Sequence, residues 1–176
     1  MPVLLEDRDF YEESGGGVTL SGGECLLQWQ FCRELLEMLK YEGIHTAVDT
    51  CGAVPREALD AVIPYTDVFL YDIKAINPAV HRKCTGLDNA LILRNLRYLD
   101  SRGCKIEVRV PYVPDYNSGE MPAIREILAE MHHVKKVRVL AYHNYAADRY
   151  ASLGMAASLP SRLPTEEEMS AVRSLF

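Results

Sequence analysis

Apolar residues along this chain fall into short blocks that switch between two periods. A β-prone run, Val18-Thr19-Leu20, is bracketed by glycines in GGGVTLSGGE, residues 15–24. A helical stripe follows, with Leu27, Phe31, Leu35, Met38 and Leu39 recurring on one face. Gly43, after Lys40-Tyr41-Glu42, supplies its stop. Ile44 to Asp49 reads as a short strand. Pro55 fits the first turn of a second helix running toward Ile63. Asp67 to Asp72 has the continuous apolar centre of a buried strand. The alternation then repeats. Leu91, Leu96 and Leu99, with Ile92 alongside, mark a helix that stops before Gly103, and Cys104 to Val110 is a strand. Pro111 to Gly119 is rich in turn residues, and Ile124, Ile127, Leu128 and Met131 mark another helix. Val134 to Tyr142 is the last strand, and Thr165 with Glu168 forms a capping box opening the final helix. The stretch from His143 to Arg162 has the least pattern and predicts a long loop or lid.

Five strands alternating with helices at this spacing predict an α/β fold with a parallel sheet and right-handed crossovers. No linker-like or low-complexity tract interrupts the 176 residues, so a single domain over 1–176 is expected. The formal charge of −6 argues against general nucleic-acid binding, which calls for clustered Lys and Arg. No apolar run approaches the roughly 18 residues of a membrane span. Glu6, Asp7, Arg8 and Asp9 interrupt any signal-peptide pattern. Cys25, Cys32, Cys51, Cys84 and Cys104 form no C-x-x-C or Cys/His cluster, which speaks against a zinc site. They read as reduced thiols in a cytoplasmic protein.

The candidate chemistry lies where the strands end. The five C-terminal ends carry Ser21-Gly22-Gly23-Glu24, then Asp49-Thr50-Cys51-Gly52, Asp72-Ile73-Lys74, Arg109 with Pro111, and Tyr142-His143-Asn144. Parallel α/β folds bind ligands at that edge. Each residue alone has a plainer use. Glu24 can serve a helix dipole, Asp49 and Thr50 can cap a turn, Asp72 and Lys74 can pair locally, and His143 can be a loop histidine. It is their combination on one rim that points to a ligand site.

In this order and spacing, GGGVTLSGGE, VDTCG, FLYDIK, VRVPYVP and LAYH resemble the glycyl-radical-enzyme activating enzymes, of which pyruvate formate-lyase activating enzyme is the best-known member. The resemblance implies a radical S-adenosylmethionine fold, a partial (β/α) barrel of parallel strands. It implies that Gly22, Gly23 and Glu24 hold the methionine amino group of S-adenosylmethionine, a bare backbone and a carboxylate offering acceptors to an ammonium. Asp49, Thr50 and Asp72 match positions that gather around a monovalent cation in the resembled activase. Asp49 and Asp72 also count among the cofactor-binding set, with Lys74, Arg109 and His143 near the ligand's carboxylate and sulfonium. A glycyl radical enzyme of the pyruvate formate-lyase kind is the implied partner, and an electron donor such as flavodoxin the implied reductant.

One family signature has no counterpart. C-x-x-x-C-x-x-C, whose three thiolates hold a [4Fe-4S] cluster, does not occur in the chain. The expectation is therefore a C-terminal portion of the family fold with the first strand missing, no iron-sulfur ligands, no catalytic residue of its own, and an exposed sheet edge. The intact enzyme would cleave S-adenosylmethionine reductively and use the 5′-deoxyadenosyl radical to take a hydrogen from a backbone glycine of its partner. The competing reading is a degenerate, non-catalytic barrel that binds a small ligand or a partner protein. A nucleotide-dependent enzyme finds no phosphate loop or dinucleotide fingerprint.

Overall fold

A computed structural model describes residues 2–144, 154 and 160–176. The expected loop or lid lies mostly outside the described residues. Five parallel strands form one sheet in the order β1 (Gly17–Leu20), β2 (His45–Thr50), β3 (Val68–Asp72), β4 (Ile106–Tyr112) and β5 (Val134–Ala141). Sequential order with parallel pairing is the simplest outcome of strand-helix alternation. Register is set by Val18 opposite Thr46 and Thr50 opposite Tyr71. The chain divides into two compact units: Met1–Asp72 with Ala90–Val108 and Met131–Lys136, and Ile73–Asn89 with Arg109–Glu130 and Val137–Phe176.

In the first unit, two short helices, α1 (Pro2–Leu5) and α2 (Arg8–Ser14), precede β1. Leu4, Leu5 and Tyr11 pack against buried Val18, Leu39 and Ile44. Gly17 is required in β1, because a Cβ there would overlap the backbone carbonyl of His45. The first long helix, α3 (Trp29–Tyr41), follows a 3₁₀ turn at Cys25–Gln28 and buries Cys32, Leu36 and Leu39. This departs from the expected stripe. Leu39 is buried, but Leu27, Phe31 and Met38 are exposed. The helix carries apolar residues on two faces, and hydropathy alone does not say which face meets the sheet. Full burial of each leucine contributes about 2 kcal/mol.

Helix α4 (Arg56–Val62) starts one residue later than expected, with Pro55 as its N-cap. Asp67 ties the start of β3 to β2, accepting from Thr46 N at 2.8 Å, Thr46 Oγ1 at 3.1 Å and Lys40 Nζ at 2.6 Å. Helix α6 (Ala90–Ser101) buries Ile92, Asn95, Leu96 and Leu99.

The second unit contains α5 (Pro78–Thr85), a helix that the apolar pattern did not announce. Its residues PAVHRKCT lack an apolar stripe, and capping holds it instead. The Asn77 side chain accepts from Ala79 N, and the Glu120 carboxylate accepts from Ile76 N at 2.8 Å and Asn77 N at 2.7 Å. The segment after β4 is also more ordered than a plain loop, folding into α7 (Pro114–Asn117) and a 3₁₀ turn at Ser118–Glu120. Helix α8 (Met121–Ala129) buries Met121, Ile124 and Leu128. The final helix, α9 (Glu166–Arg173), opens on the expected capping box of Thr165 and Glu168.

Candidate functional site

Glycine and a short acidic side chain build the first part of the site. After β1 the chain turns through exposed Ser21, Gly22 and Gly23 to half-buried Glu24, the N-cap of the following 3₁₀ turn. Apart from the adjoining residues of the turn, no heavy atom lies within 4 Å of where a Cβ would stand at Gly22 or Gly23. That space opens into a cavity of about 340 Å³ lined by the same turn, Cys25, Phe31 and Cys32.

The turn is fastened to the end of β2. Ser21 Oγ donates to Asp49 Oδ2 at 2.9 Å. Thr50 Oγ1 lies 2.8 Å from both Glu24 oxygens, and Cys51 N donates to Glu24 Oε2 at 2.9 Å. Cys51 Sγ approaches the same oxygen at 3.2 Å. Thr50 Oγ1 in turn accepts from Gly52 N at 2.8 Å. Gly52 has φ of +71°, and a Cβ there would overlap the Tyr71 hydroxyl. A left-handed backbone and a close approach both demand glycine at this position. The Tyr71 hydroxyl donates to Ile92 O at 2.7 Å. Burial, then the nearby Cys51 and Glu24, holds that phenol well above its ordinary range.

The thiols here are structural in character. Cys25 Sγ points to Asp49 O at 3.3 Å and Cys32 Sγ to Cys25 O at 3.2 Å. Burial pushes the Cys25 thiol up to about 12, with Cys32, Glu24 and Asp49 adding to it. Burial also raises Cys32. Among the described residues no group of three or more His, Cys, Asp or Glu side chains is arranged to hold a metal ion. All five cysteines are described and free, and their placement does not fit the three-thiolate binding of an iron-sulfur cluster.

The expected residues are thus placed as follows. Gly22, Gly23, Glu24, Asp49 and Thr50 come together in the first unit. Asp72 is the last residue of β3, one past the register partner of Thr50. In the second unit Lys74 lies two residues beyond β3, with its carbonyl accepting from Asn117 Nδ2 at 2.7 Å. His143 is exposed, two residues beyond β5. Arg109 departs from expectation: it is the middle residue of β4, which runs on through Pro111 to Tyr112. The Arg109 carbonyl accepts from Ile73 N, toward β3. Pro111 has no N–H to carry the ladder on toward that side, and its carbonyl accepts from Asn117 Nδ2 at 2.7 Å.

Three buried asparagines that sequence reasoning passed over hold the loops after these strands. Asn95 Nδ2 donates to Gly52 O and Val54 O, both at 2.8 Å. Asn89 Nδ2 donates to Ala75 O at 3.0 Å and Ile76 O at 2.7 Å. Asn117 Nδ2 donates to Lys74 O and Pro111 O, while its Oδ1 accepts from Val113 N. The one available signal was Asn95, a polar residue on the buried stripe of an apolar helix.

Comparison with known proteins bears on the family and the fold. The radical SAM superfamily profile matches residues 4–128. The trans-4-hydroxy-L-proline dehydratase activating enzyme of Clostridioides difficile is 38% identical over 98% of this chain and 59% of its own length. Pyruvate formate-lyase 1-activating enzyme of Escherichia coli K12 is 34% identical over 100% of this chain and 74% of its own length. The chain belongs to the radical SAM superfamily, among the glycyl-radical-enzyme activating enzymes. A crystal structure of a domain of pyruvate-formate lyase-activating enzyme from Bacteroides vulgatus superposes with a TM-score of 0.76 at 28% identity. It covers 91% of this chain and 92% of that one, and the fold is the α/β radical-SAM type. The chain spans little more than half the length of several curated relatives it matches. Members of this superfamily use S-adenosylmethionine with a [4Fe-4S] cluster. No helix among the described residues is long and apolar enough to cross a membrane.

Proposed function

We propose that residues 1–176 form one radical-SAM-type domain that binds and orients S-adenosylmethionine for a glycyl-radical-enzyme activase. The observation that carries this reading is the Ser21–Glu24 turn, bare of side chains at Gly22 and Gly23, facing a cavity and bonded to the end of β2. In such an activase, reductive cleavage of S-adenosylmethionine supplies the radical that takes a hydrogen from the partner's glycine. The residues of this chain bind and orient. The turn after β1 receives the ligand's ammonium. Asp49 and Asp72 supply oxygen donors for a monovalent cation, while Thr50 Oγ1 bonds to Glu24 and Gly52. The cluster is held by cysteines other than the five of this chain. The partner is a glycyl radical enzyme and the reductant a flavodoxin-like donor, in the cytoplasm.

The scattered thiols favour one second reading, a ligand- or partner-binding domain without catalysis. Joining the chain to the cluster-bearing segment of a relative, then assaying 5′-deoxyadenosine release under anaerobic reduction, separates the two. Release supports the activase reading. A loaded cluster without release supports the second.

A further inference from the structure

We infer that Glu24 is a positioning residue, whose carboxylate clamps the turn after β1 to the end of β2 and does not itself accept the ligand's ammonium. The inference rests on the reading that these strand ends hold S-adenosylmethionine, and it changes which atoms do so.

A carboxylate offers about four lone-pair directions. At Glu24 the protein fills them. Oε1 accepts from Leu26 N at 3.2 Å and meets Thr50 Oγ1 at 2.8 Å. Oε2 meets Thr50 Oγ1 at 2.8 Å, Cys51 N at 2.9 Å and Cys51 Sγ at 3.2 Å. The hydroxyl can aim its single proton at this carboxylate, because Gly52 N already donates to Thr50 Oγ1. Thr50 is only 2% exposed. Turning the carboxylate away to meet an ammonium would strand a buried hydroxyl and a backbone N–H, and such groups are costly to leave unpaired. Bonds from donors to an ionised carboxylate are also among the stronger ones a protein makes.

The consequence falls on the turn. Glu24 fixes both of its ends: backward to Gly22 and Gly23 through the chain, and forward through Leu26 N into the 3₁₀ turn at Cys25–Gln28. The acceptors that remain for an ammonium are the backbone carbonyls of exposed Ser21, Gly22 and Gly23. Glycine suits that use, since the space a Cβ would take at Gly22 and Gly23 is empty. Ser21 Oγ on Asp49 Oδ2 adds a second tie between the same two strand ends. Glu24 would thus act through the backbone geometry of its neighbours.

Amide hydrogen exchange of the ligand-free chain reads the clamp directly. The Cys51 amide lies past the last residue of β2, so its protection depends on Glu24 Oε2. It should exchange roughly ten- to a hundredfold more slowly in the wild type than in Glu24→Ala. A Cys51 amide that is unprotected in the wild type overturns the inference without any variant. Calorimetric titration of the same chain with S-adenosylmethionine gives the ligand side. Glu24→Gln, Thr50→Val and the double variant should weaken binding by a similar factor, because all three break one contact. Weakening by Glu24→Gln with Thr50→Val unaffected would mark Glu24 as a direct ligand and overturn the inference. If the wild type takes up no S-adenosylmethionine without the cluster, the same variants are titrated in the protein joined to the cluster-bearing segment of a relative, and the exchange result still decides the clamp.

Discussion

Replacing Asn95 tests whether a buried amide holds the loop that follows β2. Asn95 sits on the buried face of α6 at 4% exposure, and its Nδ2 donates to Gly52 O and Val54 O at 2.8 Å each. Both acceptors belong to buried residues, so water is poorly placed to substitute. Asn95→Ala removes two hydrogen bonds with a net contribution of about 1 kcal/mol each, and leaves two carbonyls whose loss of partners costs roughly 1 kcal/mol or more apiece. The expected destabilisation is therefore about 2–4 kcal/mol. For a chain of this size that lowers the melting midpoint by roughly 5–15 °C. Asn95→Asp should be worse than Asn95→Ala, since it points a carboxylate oxygen at two carbonyls where a donor belongs. Arg94→Ala, on the exposed side of the same helix, should change stability by less than about 0.5 kcal/mol. Urea unfolding followed by circular dichroism measures all three. A change below about 0.5 kcal/mol for Asn95→Ala, or Asn95→Asp more stable than Asn95→Ala, would refute the reasoning.

Burial alone would raise the Asp67 carboxyl, but the bonds from Lys40, Thr46 N and Thr46 Oγ1 outweigh it and hold the group below its ordinary range. A carboxyl depressed in the folded state adds stability above its unfolded value and loses it as pH falls through the folded one. Wild-type stability should therefore drop below about pH 4 more steeply than that of Asp67→Asn, as read by urea midpoints across pH; parallel profiles would contradict this. Cys25, raised to about 12 by burial and then by Cys32, Glu24 and Asp49, should be alkylated at pH 8 at least roughly a hundredfold more slowly than free cysteine. Mass spectrometry of iodoacetamide-treated chain checks it, and labelling at the free-thiol rate would count against the structure.

Much of the fold was legible because the strands carry period-two or continuous apolar runs and the helices between them have stops. The capping box at Thr165 and Glu168 was readable residue by residue, since its chemistry is local. Where local pattern gave no signal, reading failed. Helix α5 has no apolar stripe and depends on Glu120, more than forty residues away in sequence. On α3 two apolar faces competed, and the buried one, Cys32–Leu36–Leu39, is set by the sheet it meets. The strand β4 outlasted its expected end, since Tyr112 O, beyond Pro111, still accepts from Tyr142 N. At the site, the glycines and acids of the strand ends were readable. The ties that hold them were not. The bonds of Glu24 to Thr50 and Cys51, of Asn95 to Gly52, and of Asn117 to Lys74 join residues distant in sequence. Nothing in a single chain's pattern announces them.

The central claim, that the Ser21–Glu24 turn and the end of β2 form a working S-adenosylmethionine site, is tested most directly by the joined protein. The chain is fused to the cluster-bearing segment of a relative, reconstituted and reduced without oxygen, and assayed for 5′-deoxyadenosine. Gly23→Val, which places a side chain in the open space above the turn, is run beside it. The account predicts 5′-deoxyadenosine from the parent fusion and a loss of at least about tenfold with Gly23→Val at equal cluster content. Equal release from both would contradict the placement of the site. No release from a parent fusion that carries a full cluster would contradict the function.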